Sequence, residues 1–179
     1  VPRTTFLLAE SYRRSAADIA RELQDPAVTR RTELEQARRE RLLTAAQHFA
    51  RVIELLDAPA NGDAATAARK LSALEQQYVR LSYLNRAECY YLHGQYEQAI
   101  KLYDETAARF SEEVLAAQCY VQIVNAYLAL NQPAQAAAAA ERGRWILKRI
   151  PEAAFSGGIQ PQTRQHHENL LAVNRNQTP

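Results

Sequence analysis

A chain of 179 residues, 47% of them hydrophobic and 23% charged, is long enough to withdraw roughly 70% of its unfolded surface from water as one domain or one short repeat array. A formal net charge of +2 argues against a nucleic-acid binder with a concentrated basic face, and the lack of any run of 18 apolar residues excludes a membrane-spanning helix. Two cysteines, five glycines and few clusters of Val, Ile and Thr point to neither a disulfide framework nor a sheet, so the composition predicts an all-α protein.

The first predicted helix covers 4–24 and carries Leu8-Ala9-Glu10-Ser11-Tyr12, which sets a slim residue three positions before a tyrosine on one helix face. The second covers 32–57, opens on the capping-box pair Thr32 and Glu35, and carries Ala45, Phe49 and Val52. The stretch 30–41 looks basic, yet Glu33, Glu35 and Glu40 interrupt it at ion-pair spacing, which describes a solvated face and not a phosphate-binding stripe. Asp63 is a good N-cap for a short helix at 64–71.

Ser72 and Glu75 form a second capping-box pair before a helix over 73–93, where Tyr83, Ala87 and Tyr90 lead into a turn at Gly94. A helix at 96–110 follows with Ala99 and Tyr103, and Ser111 is placed to cap the next, 112–130, with Glu112 and Glu113 favoured by its dipole. That helix repeats the pattern with Tyr120, Val124 and Tyr127, turns at Asn131, and leads to 133–150 with Ala136, Ala140 and Gly143. Pro133 suits a first turn and Lys148 and Arg149 a last one, before Pro151 closes the segment. Gly157, Gly158, Pro161 and the polar end NRNQTP read as loop and loose terminus. One short helix at 161–173 is expected to cap the open end through Leu170, Leu171 and Val173.

The order aromatic, small residue, tyrosine, glycine turn, alanine, aromatic over 80–113 resembles the tetratricopeptide repeat. Arg86, Thr106 and Ser111 depart from it, standing where leucine, alanine and proline are usual. The copy from Tyr120 to Gly143 keeps the same register, and the first copy, from Ala9 and Tyr12 to Ala45, Phe49 and Val52, is stretched by an insertion. The resemblance implies a helical-hairpin solenoid over 1–155 with units at about 1–58, 73–112 and 113–151, followed by a tail at 156–179. The segment AARFSEE between the second and third units also resembles bacterial envelope-associated tetratricopeptide proteins. A chain that starts at Val1 and holds no methionine reads as a piece of a longer protein from the bacterial cytoplasm or periplasm.

Such repeats line a concave groove with the first helix of each pair. Groove positions carried over from the family are Phe6, Glu10 and Arg13 in the first unit, Leu81, Leu84, Asn85, Glu88 and Tyr91 in the second, and Gln118, Val121, Gln122, Asn125 and Leu128 in the third. Leu81, Leu84, Val121 and Leu128 read equally well as core. Glu88, Asn85, Gln122 and Asn125 can hydrogen-bond an extended backbone, and Tyr91 offers rigid apolar area. Chaperone-binding members of the family grip a carboxylate with lysines and arginines. Leu84, Glu88 and Gln122 hold such places here, which argues against that role.

No catalytic constellation, phosphate loop or metal-ligand spacing emerges. His166 and His167 are adjacent, point about 100° apart on a helix and read as a surface pair. His48 is isolated, as is His93 at a helix C-terminus. Cys89 and Cys119 read as small core hydrophobes. The expected function is therefore a non-catalytic protein-interaction scaffold without cofactor or metal, holding a peptide or partner protein. A homo-oligomer is compatible with this reading. The alternative is a nucleic-acid binder using Arg13, Arg14, Arg38, Arg39 and Arg41.

Overall fold

The computed structural model describes residues 1–57, 70–156 and 163–173. Among the described residues all regular structure is helical: α1 (Pro2–Glu22), α2 (Arg31–Asp57), α3 (Ala73–His93), α4 (Tyr96–Arg109), α5 (Val114–Ala129), α6 (Pro133–Arg149), a 3-10 turn at Glu152–Ser156 and α7 (Arg164–Val173). The predicted helix at 64–71 and its cap Asp63 lie outside the described residues, save Lys70 and Leu71, which are not helical. Two compact units divide at the Gly94 turn, Val1–Gly94 and Gln95–Pro179.

Local chemistry accounts for several boundaries. The Ser72 hydroxyl accepts from the Glu75 N–H at 3.2 Å while the Glu75 carboxylate accepts from the Ser72 N–H at 2.9 Å, satisfying two of the donors that a helix start leaves open. α3 ends at Gly94 with φ 90°, and the turn after α5 uses Asn131 at φ 56°, the residue next best to glycine in the left-handed region. Two expected caps are displaced. α2 starts at Arg31, which puts Thr32 inside the first turn. α5 starts at Val114 after Glu113, because the exit from α4 runs on through a turn in which the Glu113 N–H donates to Phe110 O at 2.9 Å, so Ser111 caps nothing.

In the first unit α2 packs against both α1 and α3. Ala9, Ala45, Phe49, Val52 and Ala87 are fully buried, and the alanines allow the close approach that the sequence implied. Phe6 fills the space beside them, stacked on Tyr78 at 4.5 Å and edge-on to Phe49 at 5.8 Å, arrangements that aromatic quadrupoles favour. Tyr83 donates to the Asp57 carboxylate at 3.0 Å, tying the end of α2 to α3.

In the second unit α5 packs against α4, α6 and α7, and eight of its side chains are buried, from Ala116 to Ala126. A helix with neighbours on several sides needs apolar residues nearly all round. Thr106 is fully buried and donates its hydroxyl to Leu102 O at 2.7 Å. Its burial therefore leaves no donor unmet.

The expected terminal helix exists as α7, and its packing corrects the reading of the histidine pair. Residues four apart share a helix face: His167 and Leu171 are both buried, whereas Leu170 is exposed. Only His166 of the pair lies at the surface. Arg164 fixes the start of α7 by donating to Ile150 O at 2.7 Å, to Leu147 O and to the Glu152 carboxylate at 3.0 Å, with its guanidinium 4.9 Å from the Phe155 ring. Arg144 of α6 donates in return to Leu171 O at 3.1 Å.

Gly143 sits where these helices meet, and a Cβ there would lie 2.9 Å from the Tyr120 Cβ and 3.1 Å from both Leu171 methyl carbons. Gly143→Ala should gain about 1 kcal/mol of helix propensity and lose more to overpacking, about 1–3 kcal/mol. Urea denaturation is expected to show net destabilisation, with α7 amides the first to lose hydrogen-exchange protection.

His167 supplies a pH dependence. Its Nε2 is buried with no hydrogen-bond partner among the described residues, and Nδ1 lies 3.3 Å from Thr163 O. Burial chiefly, and His166 secondarily, hold its pKa below the ordinary histidine value against the raising effect of Thr163. The unfolded state therefore binds the proton more readily, so the stability linked to this group is complete above about pH 6.5 and falls as pH drops below it. Hydrogen exchange of α7, corrected for intrinsic rates, should speed up on acidification in the wild type and respond less in His167→Gln.

Candidate functional site: a polar cluster and cleft on α1 and α3

Helical spacing puts Phe6, Glu10 and Arg13 on one stripe of α1, and Leu81, Asn85 and Glu88 on one stripe of α3. The fold brings the polar members of both stripes together. Arg13 donates twice to Glu10, Nε to Oε1 and Nη2 to Oε2, each at 3.1 Å. Its Nη1 reaches Glu88 Oε2 at 3.3 Å, and Asn85 Nδ2 donates to Glu10 Oε1 at 2.8 Å. Arg14 stands 3.7 Å from the same carboxylate.

Electrostatics follow from this geometry. The two-pronged bond to Glu10, ahead of the opposing effect of burial, raises the Arg13 pKa, so the guanidinium stays charged and fixed in direction. Asn85 is buried and Glu10 keeps 14% of its side chain exposed, while Glu88 keeps 40%. Glu88 can thus accept hydrogen bonds from a ligand without breaking the cluster. Cys89 beside it is pushed up to about 12 by burial first and Glu88 second. Its thiol remains protonated near neutrality and is a poor nucleophile or metal ligand.

A cleft of about 660 Å³ opens over the cluster, lined by Phe6, Leu7, Glu10, Ser11, Arg13, Arg14, Ser15, Asp18, Leu81 and Asn85. Leu7 on its rim is 54% exposed. One end is therefore apolar and the other ionic. The sequence reading passed over Leu7, Ser11, Ser15 and Asp18, although their spacing of four, four and three residues marks the stripe of α1 next to Glu10.

Leu81 packs against the first unit's core, and Leu84 and Tyr91 are half-buried on α3. On α5, Val121 is buried, which settles its core reading, while Gln118, Gln122, Asn125 and Leu128 are half-buried. Asn125 donates to Gln122 at 3.4 Å, a weak pair with hydrogen-bonding capacity to spare. Among the described residues no group of three or more His, Cys, Asp and Glu side chains could hold a metal ion, and no helix is long and apolar enough to cross a membrane.

His93 is half-buried in the last turn of α3. Burial first, then Arg39 and Arg38, lower its pKa, which outweighs the cation-favouring helix terminus anticipated from position. Arg38 itself donates to Leu92 O at 3.1 Å.

The site thus belongs to an all-α chain with a preorganised charged cluster at the mouth of a cleft. No protein-family model matches the chain, and neither a curated protein nor a solved structure matches it.

Removal of Glu10 strands Asn85 and leaves Arg13 with Glu88 alone. Glu10→Ala should cost about 1–2 kcal/mol in chemical denaturation, less than a fully buried pair because Arg13 and Glu88 stay partly hydrated. Glu10→Gln, which keeps one acceptor, should lose less. Equal losses would mean that the acceptor atoms contribute nothing.

Proposed function

We propose that this chain is a non-catalytic protein-interaction scaffold of tetratricopeptide type. Its helix pairs, at about 1–58, 73–112 and 113–151, form a short solenoid that holds a peptide or partner protein through the face around Glu10, Arg13, Asn85 and Glu88. The observation that carries the reading is the meeting of these four side chains at a cleft. All four lie in the compact unit Val1–Gly94, at groove positions of the first two proposed helix pairs, 75 residues apart in the chain. A fixed ionic cluster next to exposed Leu7 and half-buried Leu81 offers directional hydrogen bonds beside apolar area, the combination that peptide recognition uses.

The repeat assignment has support at the residue level. The small positions Ala87, Ala99, Val124, Ala136 and Ala140 are buried, and the two equivalent turns use Gly94 and Asn131 with positive φ. The nucleic-acid alternative has less behind it, since Arg13 and Arg14 face carboxylates, Arg41 donates to Ser15 and Arg38 to a backbone carbonyl. A phosphate-binding stripe needs such cations unopposed.

The test is recovery of partners from the source cell with the wild type and with a Leu7→Asp, Glu88→Arg double variant whose circular dichroism is unchanged. Partners should be lost from the variant by about tenfold or more. Identical partner sets would refute the cleft as the binding face.

A further inference from the structure

The second unit carries a surface that the cleft does not use. Trp145, the chain's single tryptophan, is 56% exposed on α6, although so large an aromatic surface is seldom left in water. The buried stripe of α6 passes through Gly143 and Leu147, so Trp145 points away from the core. Arg149, one turn on, holds its guanidinium 4.5 Å from the ring centroid. Arg142 and Lys148, three residues to either side, are exposed as well.

Arg144 is paired with Glu141 at 2.5 Å, whereas among the described residues Arg142, Lys148 and Arg149 have no carboxylate partner. A cavity of about 240 Å³ adjoins the ring, lined by Ser111, Glu112, Trp145, Ile146 and Arg149, with room for one large side chain. The cavity itself holds one cation, Arg149, and one carboxylate, Glu112, and the only other carboxylate that α6 puts on this face, Glu141, is engaged by Arg144. Arg142 and Lys148 add positive charge beside them, so the occupant should be anionic. Trp and Arg, already stacked and so preorganised, are the residue types that anchor protein interfaces.

We propose that this face of α6 docks an acidic segment of a partner protein. One apolar side chain of the segment enters the cavity beside Trp145 and Ile146, and its carboxylates meet Arg142, Lys148 and Arg149. Glu112 disfavours a phosphate inside the cavity but can accept a peptide N–H. Arg149 already occupies a ring face on which a nucleobase would stack.

Because Trp145 is the sole tryptophan, its fluorescence reports on this site alone. The free 179-residue chain should emit as a water-exposed indole. Titration with a synthetic peptide of Glu and Asp around one central Leu should give a saturable blue shift that weakens with added salt. Affinity should fall by about tenfold or more in Arg142→Gln, Lys148→Gln, Arg149→Gln, and likewise when the peptide's Leu is replaced by Ser. Lys148→Gln alone, on the helix surface, should show a smaller loss should the triple variant fail to fold. Calorimetry with Trp145→Ala should show the same peptide binding lost. Blue-shifted emission in the free chain, no saturable shift, or undiminished affinity in the variants would overturn the proposal. So would a shift with phosphatidylserine vesicles or oligothymidylate but not with the peptide.

Discussion

Close approach of helices at small side chains is the constraint on which both units rest. Ala9, Ala45 and Ala87 are fully buried in the first unit, and Ala116, Ala117, Ala139 and Gly143 in the second. Short side chains bring helix backbones together and leave the gaps between to be filled by large ones, as Phe6 and Phe49 do beside the alanines and Tyr120 and Leu171 beside Gly143. The glycine marks the limiting case, since even one added methyl group would meet a Cβ and two methyls that have little room to retreat.

Arginine then completes what packing leaves undone. The last carbonyls of a helix lack intrahelical donors, and three helix ends are served by a guanidinium from elsewhere in the same unit. Arg38 of α2 donates to Leu92 O, Arg164 of α7 to Leu147 O and Ile150 O, and Arg144 of α6 to Leu171 O. Each bond ties one element to another as well as satisfying an acceptor, and a rigid planar fork suits that double duty better than a lysine ammonium. Arg13 applies the same geometry to carboxylates, holding Glu10 and Glu88 in one cluster. The modest net charge of a chain with 22 basic and 20 acidic residues therefore conceals a division of labour. Several of the described arginines, Arg13, Arg38, Arg144 and Arg164 among them, brace the fold, whereas Arg142 and Arg149 near Trp145 have no carboxylate partner among the described residues.

This division shapes the functional reading. Interaction proteins work by presenting rigid groups at little entropic cost, and both candidate surfaces have that character. The cluster on α1 and α3 is held by hydrogen bonds before any ligand arrives, and the Arg149 guanidinium is already stacked on Trp145. The buried thiols of Cys89 and Cys119, each pushed up to about 12, add no reactive chemistry near neutral pH.

The sequence by itself determined the helices, because periodicity and local caps act within a few residues. The Ser72–Glu75 box, the turns at Gly94 and Asn131 and the proline at the start of α6 were all legible for that reason. It also supplied the members of the polar cluster, since Glu10 and Arg13 on α1, and Asn85 and Glu88 on α3, each lie at helical spacing on one stripe. Tertiary structure decided what depends on neighbours distant in the chain. Whether Val121 was core or groove, which of His166 and His167 was buried, and where α5 began were fixed by packing partners that no local window contains. The cleft wall formed by Leu7, Ser11, Ser15 and Asp18 had a readable period, yet only the arrival of α3 showed which of the stripes of α1 it would border. Trp145 is the sharpest case. An aromatic residue in an amphipathic helix is ordinarily assigned to the core, and only the packing of Gly143 and Leu147 into the unit turned it outward.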